Sequence, residues 1–344
     1  MTPLDAVFRD QAKSCAALGS PFMARLLGLI ADNLRPGNAV MDHILDWEGD
    51  TSSRGHSVPL RLAGGLHALV LDGRDPQLAE AYPPATVSDA QLWAAVNGAL
   101  ASHSARLIDW MATPPQTNEV RRAAALIPTG TLLSDMFGLP LTLTEIGASG
   151  GLNLNFERFA VQARAMTLGP TDPALTLTPV WEGEAPVQAA VQVAGRRGVD
   201  LNPLTRPQDA LALRAYLWPD QPERRALTDA ALALPRAQVD RGDVADWLPA
   251  RLAEPTDGTT HLIYHTIAWQ YLPPATQEKC TALIEAAGAA ATEHAPLAWM
   301  GLEADDHADG AALSLRLWPG NRQITLGRAD FHGRWVRWTP KELE

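Results

Sequence analysis

The segment Gly147-Ala148-Ser149-Gly150-Gly151 has the residue types for two different chemistries. As G-x-S-x-G it matches a nucleophile elbow, in which a serine on a sharp strand-to-helix turn is the attacking hydroxyl of a hydrolase. Together with Glu145 it is an acid followed by a glycine-rich turn, where backbone can approach a nucleotide-type ligand between a strand and a helix. Ser149 is a nucleophile in the first interpretation and a loop residue beside a ligand in the second.

The hydrolase interpretation needs several strands and an oxyanion-forming loop ahead of the serine. Here the preceding half has helical patterns, so Ser149 follows the first predicted strand. An acid from 305–309 and then His332 would complete the order of a hydrolase triad, but nine histidines make that order easy to meet by chance. A dinucleotide fingerprint fails because Ser149 and Leu152 occupy two of its glycine positions, and a Walker loop fails because it lacks its lysine. We therefore prefer a cofactor loop and keep the hydrolase as the alternative.

The bulk composition narrows the class of protein. The chain has 344 residues, 46% of them hydrophobic and 19% charged, which is typical of a globular protein with room for two domains. A net charge of -11 with lysines only at 13, 279 and 341 argues against a nucleic-acid partner. Cys15 and Cys280 are too few for a disulfide scaffold, and no apolar run reaches the roughly 18 residues of a membrane span. We therefore expect a cytoplasmic protein.

Two patterns divide the chain near residue 137. From residue 1 to about 135, apolar residues recur at helical spacing, and proline pairs at 83–84 and 114–115 end predicted helices. After residue 138, short β-branched runs alternate with helical runs, which predicts a mostly parallel sheet, and the last two runs predict an antiparallel hairpin. The predicted organisation is an all-α domain over 1–137, a cap, and an α/β domain over 138–344.

Several motifs together resemble a known bacterial family. In order, they are 116-QTNEVRR-122, 145-EIGASGGLNL-154, 198-GVDLNP-203, 218-WPDQPERR-225 and 332-HGRWVRW-338. Over nearly the whole chain they resemble a family described as a domain of unknown function, family 2332. Residues 145–151 also resemble motif I of class I S-adenosylmethionine-dependent methyltransferases, E-x-G-x-G-x-G, with serine at the central glycine. This second resemblance implies a Rossmann-like class I methyltransferase-type fold with S-adenosylmethionine as the cofactor.

The methyltransferase resemblance also implies roles for single residues. Glu145 would lie near the amino group of the cofactor, Asp200 would take the ribose hydroxyls, and Asp243 would meet the adenine. A carboxylate about 4 Å from the sulfonium or ammonium contributes up to roughly 4 kcal/mol at an effective dielectric of 20, before desolvation. The loop positions along the methionine portion would be Gly147, Ser149 and Gly151.

The spacing of these acids predicts an insertion. Asp200 lies much farther beyond Gly151 than the usual separation of about 20 residues in nucleotide-binding units. We expect extra chain between the first helix and the second strand, in the form of a hairpin built from LTLTPVWEG and VQAAVQVAG.

Three residues ahead of the first strand are candidates for substrate binding. Asn118, Glu119 and Arg122 lie in a dense polar run at the start of a predicted helix. They could reach a ligand at a cleft between the two domains, since binding sites favour such clefts. The equal alternative is a capping segment that satisfies the free amides of the helix.

Histidines and one tyrosine complete the candidate site. His265 ends the fourth predicted strand, where the resemblance places the methyl acceptor, and could be a general base or a hydrogen-bonded structural histidine. Tyr271 beside it and His332 in the terminal hairpin are further candidates for substrate contact. His261 and His265 share a strand face but lie about 13 Å apart, too far to share a metal, and no other metal site is predicted.

The sequence therefore predicts a protein that binds S-adenosylmethionine and transfers its methyl group to a small molecule or a protein. The alternatives are a serine hydrolase that uses Ser149 and a non-catalytic regulatory protein that binds a nucleoside.

Overall fold

A computed structural model describes residues 3–343. The chain forms two compact units. The helical unit contains the chain up to Thr117 and the segment Arg206–Ala226, and the sheet unit contains Asn118–Thr205 and the chain from Leu227 onward. A single cut at residue 137 does not describe these units, because the helix over 123–137 belongs to the sheet unit.

Helices occur in both units. The α-helices, in chain order, are α1 (Leu4–Ala17), α2 (Pro21–Asp32), α3 (Ala39–Leu45), α4 (Val58–Leu71), α5 (Pro76–Ala81), α6 (Asp89–Ser102), α7 (Ser104–Met111), α8 (Ala123–Phe137), α9 (Ala210–Ala215), α10 (Pro222–Leu232), α11 (Val244–Leu252) and α12 (Pro274–Ala289). Short 3₁₀ helices cover Val120–Arg122, Asn153–Arg158, Pro207–Asp209 and Trp269–Tyr271.

The helical unit follows from its apolar spacing and its helix caps. In α6 the Ser88 hydroxyl accepts from the Gln91 amide, and the Gln91 side chain accepts from the Ser88 amide, which satisfies two amides that the helix leaves free. Leu26 and Leu62 are completely buried in the core of this unit. Between residues 3 and 137 the structure describes helices and no strand, as the sequence pattern predicts.

The strands, in chain order, are β1 (Leu141–Ile146), β2 (Phe159–Ala163), β3 (Met166–Leu168), β4 (Leu175–Leu177), β5 (Val180–Gly183), β6 (Val193–Asp200), β7 (Val239–Arg241), β8 (Thr260–Thr266), β9 (Leu297–Glu303), β10 (Ala311–Trp318), β11 (Arg322–Ala329) and β12 (Trp335–Glu342).

One large sheet forms the centre of the sheet unit. Its strand order is β5-β12-β11-β10-β9-β8-β1-β6-β7. The five strands β9, β8, β1, β6 and β7 are parallel to one another. The pairs β9–β10, β10–β11 and β11–β12 are antiparallel. Every residue of β8 is buried, as expected for a strand inside a sheet that is covered on both faces. The predicted α/β class, with a mostly parallel sheet and antiparallel C-terminal strands, is confirmed.

The insertion between β1 and β6 has a different form from the predicted hairpin. Strands β3, β2 and β4 make a small second sheet, and β5 pairs in parallel with β12. The hairpin prediction is wrong because Pro179, which lacks an amide donor, separates β4 from β5 within LTLTPVWEG. The other half of the predicted hairpin enters β6, which pairs in parallel with β1.

Within residues 3–343, no helix has both the length and the apolar character that crossing a membrane requires.

Packing between α12 and the sheet depends on a glycine. A Cβ atom at Gly288 would overlap the Trp318 ring, which is itself buried. We expect Gly288→Ala to lower the free energy of unfolding by about 1–3 kcal/mol, the usual cost of overpacking. Gly98→Ala in α6 is the matched control, because no atom lies within 4 Å of its added Cβ. That substitution should stabilise the protein by up to about 1 kcal/mol through helix propensity. Chemical denaturation measures both, and a Gly288→Ala protein as stable as wild type would contradict this packing.

Candidate functional site

The parallel strands bring their carboxyl ends to one edge of the large sheet. From β1 the chain continues to β6 and β7 on one side and later to β8 and β9 on the other. The order of strands therefore reverses between β1 and β8, and in open α/β sheets ligands bind at the carboxyl ends of the strands beside such a reversal. We call the ends of β7, β6, β1, β8 and β9 the carboxyl edge.

The glycine loop, residues 147–151, follows β1 at this edge. Gly147 and Gly151 have φ values of +71° and +68°, and Ser149 has +52°, which is uncommon for a residue with a side chain. The predicted α-helix after Gly151 is wrong, because a 3₁₀ helix over Asn153–Arg158 follows, with non-helical backbone angles at Asn155. The turn therefore does not open a long helix with a dipole aimed at a ligand.

Side chains from two other segments bind the amides of this turn. Asp200 Oδ2 at the end of β6 accepts from the Ser149 amide at 2.9 Å, and Asn118 Oδ1 accepts from the Leu152 amide at 2.9 Å. These two donors are thus occupied by the protein itself. The turn is closed by its own neighbours and does not offer these amides to an anion.

The segment 118–122 connects the turn to the rest of the carboxyl edge. Glu119 accepts from the Arg121 amide at 3.2 Å, so it caps the 3₁₀ helix, and its backbone carbonyl accepts from Asn153 Nδ2 at 3.1 Å. Arg122 donates to the backbone oxygens of Thr266, at the end of β8, and of Phe331, at 2.9 and 3.0 Å. Glu119 therefore caps the short helix, although we expected Thr117 or Asn118 to do so, and ligand contacts of Asn118, Glu119 and Arg122 stay predictions.

Glu145 is buried at the carboxyl edge, with only 2% of its surface exposed. The Tyr264 hydroxyl donates to the Asn153 carbonyl at 3.2 Å and lies 3.5 Å from Glu145 Oε2. Burial, and then the negative charge of Asp200, raise the pKa of Glu145 well above its usual range, and the Arg122 charge and the Tyr264 hydrogen bond lower it by less. A carboxyl group in such an apolar place keeps its proton and can donate a hydrogen bond.

Two buried polar atoms at the turn lack a partner. Among residues 3–343, neither Ser149 Oγ nor Asn153 Oδ1 has a hydrogen-bond partner, although both side chains are more than nine-tenths buried. Leaving such an atom unsatisfied costs about 1–3 kcal/mol, so native proteins rarely do so without a ligand or water. Both oxygens can accept a hydrogen bond from a group that brings donors.

The two remaining predicted cofactor residues, Asp200 and Asp243, make local hydrogen bonds. Besides the Ser149 amide, Asp200 accepts from the Asn202 amide at 2.8 Å. Asp243 caps α11 by accepting from the Ala245 amide at 2.8 Å. Asp200 ends β6 and Asp243 follows β7, as predicted, and their contacts with ribose and adenine stay predictions.

His265 is held by two neighbours that the sequence did not reveal. Its Nδ1 lies 2.8 Å from Glu303 Oε1, and the Trp299 indole donates to its Nε2 at 3.0 Å. Its ring also stacks on Trp269 with centroids 4.7 Å apart. These are the contacts of a structural histidine, and a role as general base stays a prediction. Glu303 could have been found by the rule that singled out Glu145, because it is an acid at the end of a predicted strand.

The two other substrate candidates lie in the connections that follow β8 and β11. Tyr271 is 72% exposed, after β8. His332 lies between β11 and β12, in a turn that Asp330 organises by accepting from the amides of His332 and Arg334 at 3.0 and 3.1 Å. This turn packs against segment 118–122, since a Cβ at Gly333 would overlap the Arg121 carbonyl.

Within residues 3–343, no three His, Cys, Asp or Glu side chains are arranged to hold a metal ion. A surface cavity of about 400 Å³ lies along α12, where Trp269, Gln277 and Glu278 are among its lining residues. We place the candidate site at the carboxyl edge, because the reversal of strand order, the buried Glu145 and two of the unpartnered buried oxygens, Ser149 Oγ and Asn153 Oδ1, lie there.

Replacing Glu145 with glutamine tests the state of the buried carboxyl group. The folded protein keeps a proton that the unfolded chain releases above a pKa of about 4.5. The free energy of unfolding therefore falls as pH rises above that value, until the folded-state pKa is reached. Glutamine has the same shape and does not ionise. We expect Glu145→Gln to match wild type in Tm near pH 4 and to exceed it increasingly toward pH 8, in thermal melts followed across this range. A difference in Tm that stays constant with pH would contradict a protonated Glu145.

Comparison with known proteins shows which family the chain belongs to. A family model for uncharacterized proteins conserved in bacteria matches residues 5–338. No curated protein and no solved structure matches the chain significantly. The matched region includes the three segments that meet at the carboxyl edge, namely 118–122, 145–154 and the turn around Gly333. The chain therefore belongs to the domain-of-unknown-function family 2332 (DUF2332), whose members are uncharacterized proteins conserved in bacteria.

Proposed function

We propose that the sheet unit binds S-adenosylmethionine at the carboxyl edge and is a class I methyltransferase-type domain. One observation carries this proposal. The five parallel strands have the order β7-β6-β1-β8-β9, with a glycine-rich turn after the central strand and acids at three successive strand ends: Glu145, Asp200 and Asp243. Strand order, turn and acids are what the methyltransferase resemblance implies.

The polar groups at the turn favour a cationic ligand. The amides of Ser149 and Leu152 already donate to Asp200 and Asn118, so they are not free to cradle a phosphate. What the turn leaves unpartnered are oxygen atoms, Ser149 Oγ and Asn153 Oδ1. Oxygens can accept from an ammonium group, and a nearby positive charge also favours the ionised form of Glu145. S-adenosylmethionine carries both an ammonium and a sulfonium, so it suits this set of groups.

The chain's own residues would contribute by positioning the reacting groups. When bound, the cofactor supplies the methyl group. Glu145, Ser149 and Asn153 would hold the amino acid portion, and the loop after β8 would face the acceptor. Holding two reactants in line accounts for much of the rate of a group transfer, with no charged catalytic group required. The acceptor in this proposal is a small molecule or a protein.

Calorimetric titration tests the proposal directly. We expect wild-type protein to bind S-adenosylmethionine and its demethylated product, S-adenosylhomocysteine, because both carry the ammonium and the nucleoside. Glu145→Ala and Asp200→Ala should weaken binding at least tenfold, since each removes a carboxyl group from the edge. Glu184→Ala is the matched control, because Glu184 is exposed and lies outside the carboxyl edge. Circular dichroism would verify that the variants are folded.

Two results would change this proposal. Absence of binding of both compounds to wild type would refute it. Binding without methyl transfer across a broad panel of acceptors would favour a regulatory protein that binds a nucleoside.

A serine hydrolase is the second candidate, and Ser149 itself provides the observation for it. Its φ of +52°, on a turn just beyond the central strand, is a feature of a nucleophile elbow. No base among residues 3–343 lies within hydrogen-bond reach of the Ser149 hydroxyl. Two of the acids considered for a triad are paired with arginines, Asp305 with Arg328 and Asp309 with Arg337.

Labelling with a fluorophosphonate distinguishes this candidate from the first. Because Ser149 lacks a base, we expect no covalent labelling of wild type when the intact protein is analysed by mass spectrometry. A single added phosphonyl group that disappears in Ser149→Ala would establish the hydrolase. Heat-denatured protein is the control for nonspecific labelling.

A further inference from the structure

Glu303, the last residue of β9, binds the loop that follows β8. We call residues 267–271 the β8 loop. Glu303 Oε1 accepts from the amides of Ala268 and Trp269 at 3.0 and 3.1 Å, and Oε2 lies 3.5 Å from the Gln270 amide. The Nδ1 atom of His265 also lies 2.8 Å from Glu303 Oε1. Hydrogen bonds to an ionised acceptor are about twice as strong as neutral ones. The carboxylate of Glu303 thus accepts hydrogen bonds from three consecutive amides of the loop.

The charge of Glu303 fits this role. Burial raises the pKa of Glu303, but the His265 hydrogen bond and the amides of Ala268 and Trp269 lower it by more, so the pKa is below its usual value. Glu303 is therefore ionised at neutral pH, in contrast to Glu145, whose pKa is raised. Glu145 and Glu303, two acids of the carboxyl edge, thus have pKa values shifted in opposite directions.

The β8 loop begins with a strained residue. Ile267 has a φ of +50°, which is a real outlier for a β-branched side chain. Such a conformation is unfavourable and persists only where the surroundings enforce it. The Ile267 amide donates to the Leu302 carbonyl at 2.8 Å, and Glu303 binds the amides that follow. The end of β9 therefore holds the loop in this shape.

His265 is fixed in one tautomer between its neighbours. The indole N–H of Trp299 can only donate, so Nε2 of His265 accepts and the proton lies on Nδ1, directed at Glu303. Gly301 leaves room for the ring, since a Cβ there would lie 3.1 Å from His265 Cε1. With 4% of its surface exposed, His265 supports Glu303 from within the protein.

The β8 loop packs directly against the glycine loop. A Cβ at Gly147 would lie 2.6 Å from the Cβ of Ala268, so the two loops touch at this point. Thr266, just ahead of the β8 loop, accepts from Arg122. Any shift of Ala268 would therefore change the space beside the glycine loop.

We propose that Glu303 and His265 are positioning residues, which hold the β8 loop against Gly147 and so shape the ligand site without touching the ligand. The proposal rests on the proposed function for the identity of that ligand. The part of the proposal in which Glu303 and His265 hold the β8 loop in place depends only on contacts within the protein.

Hydrogen exchange and titration of Glu303→Gln test this proposal together. Glutamine has the same shape but loses the charge and turns a donor group toward the amides. We expect exchange at residues 268–270 to become at least tenfold faster while other amides of the sheet unit keep their rates. Binding of S-adenosylhomocysteine should weaken at least tenfold. Glu184→Gln, an exposed acid outside the carboxyl edge, is the matched control and should change neither quantity.

Imidazole ¹⁵N spectra of wild type provide a signature that a general loss of stability would not produce. We expect the proton of His265 on Nδ1, with Nε2 unprotonated. A proton on Nε2 would overturn the proposed arrangement, as would unchanged exchange at 268–270 in Glu303→Gln.

Unchanged affinity despite faster exchange would show that the position of the β8 loop does not shape the ligand site, and this would overturn that part of the proposal. If wild type binds neither S-adenosylmethionine nor S-adenosylhomocysteine, the proposed function fails. The exchange rates and the histidine spectrum still decide whether Glu303 and His265 position the loop.

Discussion

Burial of the Glu145 carboxyl group is the constraint on which the carboxyl edge depends. The sheet places β1 between β6 and β8, so an acid near its end lies where water does not reach. An isolated carboxylate in such a place would be very unfavourable, and the usual outcome is a raised pKa and a neutral group. Arg122 offsets part of this cost through its charge, and the same guanidinium joins the end of β8 to the Phe331 carbonyl.

The same constraint explains why distant parts of the sequence meet. Arg122 can face Glu145 only if segment 118–122 packs with the sheet, and there Asn118 also holds the Leu152 amide. The turn around Gly333 packs on this segment in turn. The helical periodicity of 123–137 identifies a helix correctly, but periodicity does not tell which unit a helix packs against. The sequence therefore placed this helix in an all-α domain, whereas its contacts place it in the sheet unit.

Local sequence patterns predicted the positions of the strands better than they predicted the contacts between residues on different strands. Alternating strand and helix runs gave the parallel sheet, and acids at strand ends led to Glu145 and Asp200. The pairing of His265 with Trp299 and Glu303 was hidden, because it arises when β8 and β9 lie side by side, with His265 opposite Gly301. The α-helix expected after Gly151 fails for a related reason. Asn153 and Asn155 direct their amide groups to the carbonyls of Glu119 and Pro235, which are distant in the chain.

Whether Ser149 serves a cofactor loop or a hydrolase depends on the groups around its hydroxyl. A nucleophile needs a base that removes its proton, and a base must lie within about 3 Å of the hydroxyl, or approach it when the substrate binds. Around Ser149 the protein has instead used its carboxyl and amide oxygens to bind backbone amides, through Asp200 and Asn118. The unpartnered side-chain atoms of Ser149 and Asn153 are buried oxygens, which can accept hydrogen bonds. Acceptor oxygens of this kind favour a ligand that brings donors and positive charge, and a hydrolase would need a base beside Ser149 in addition.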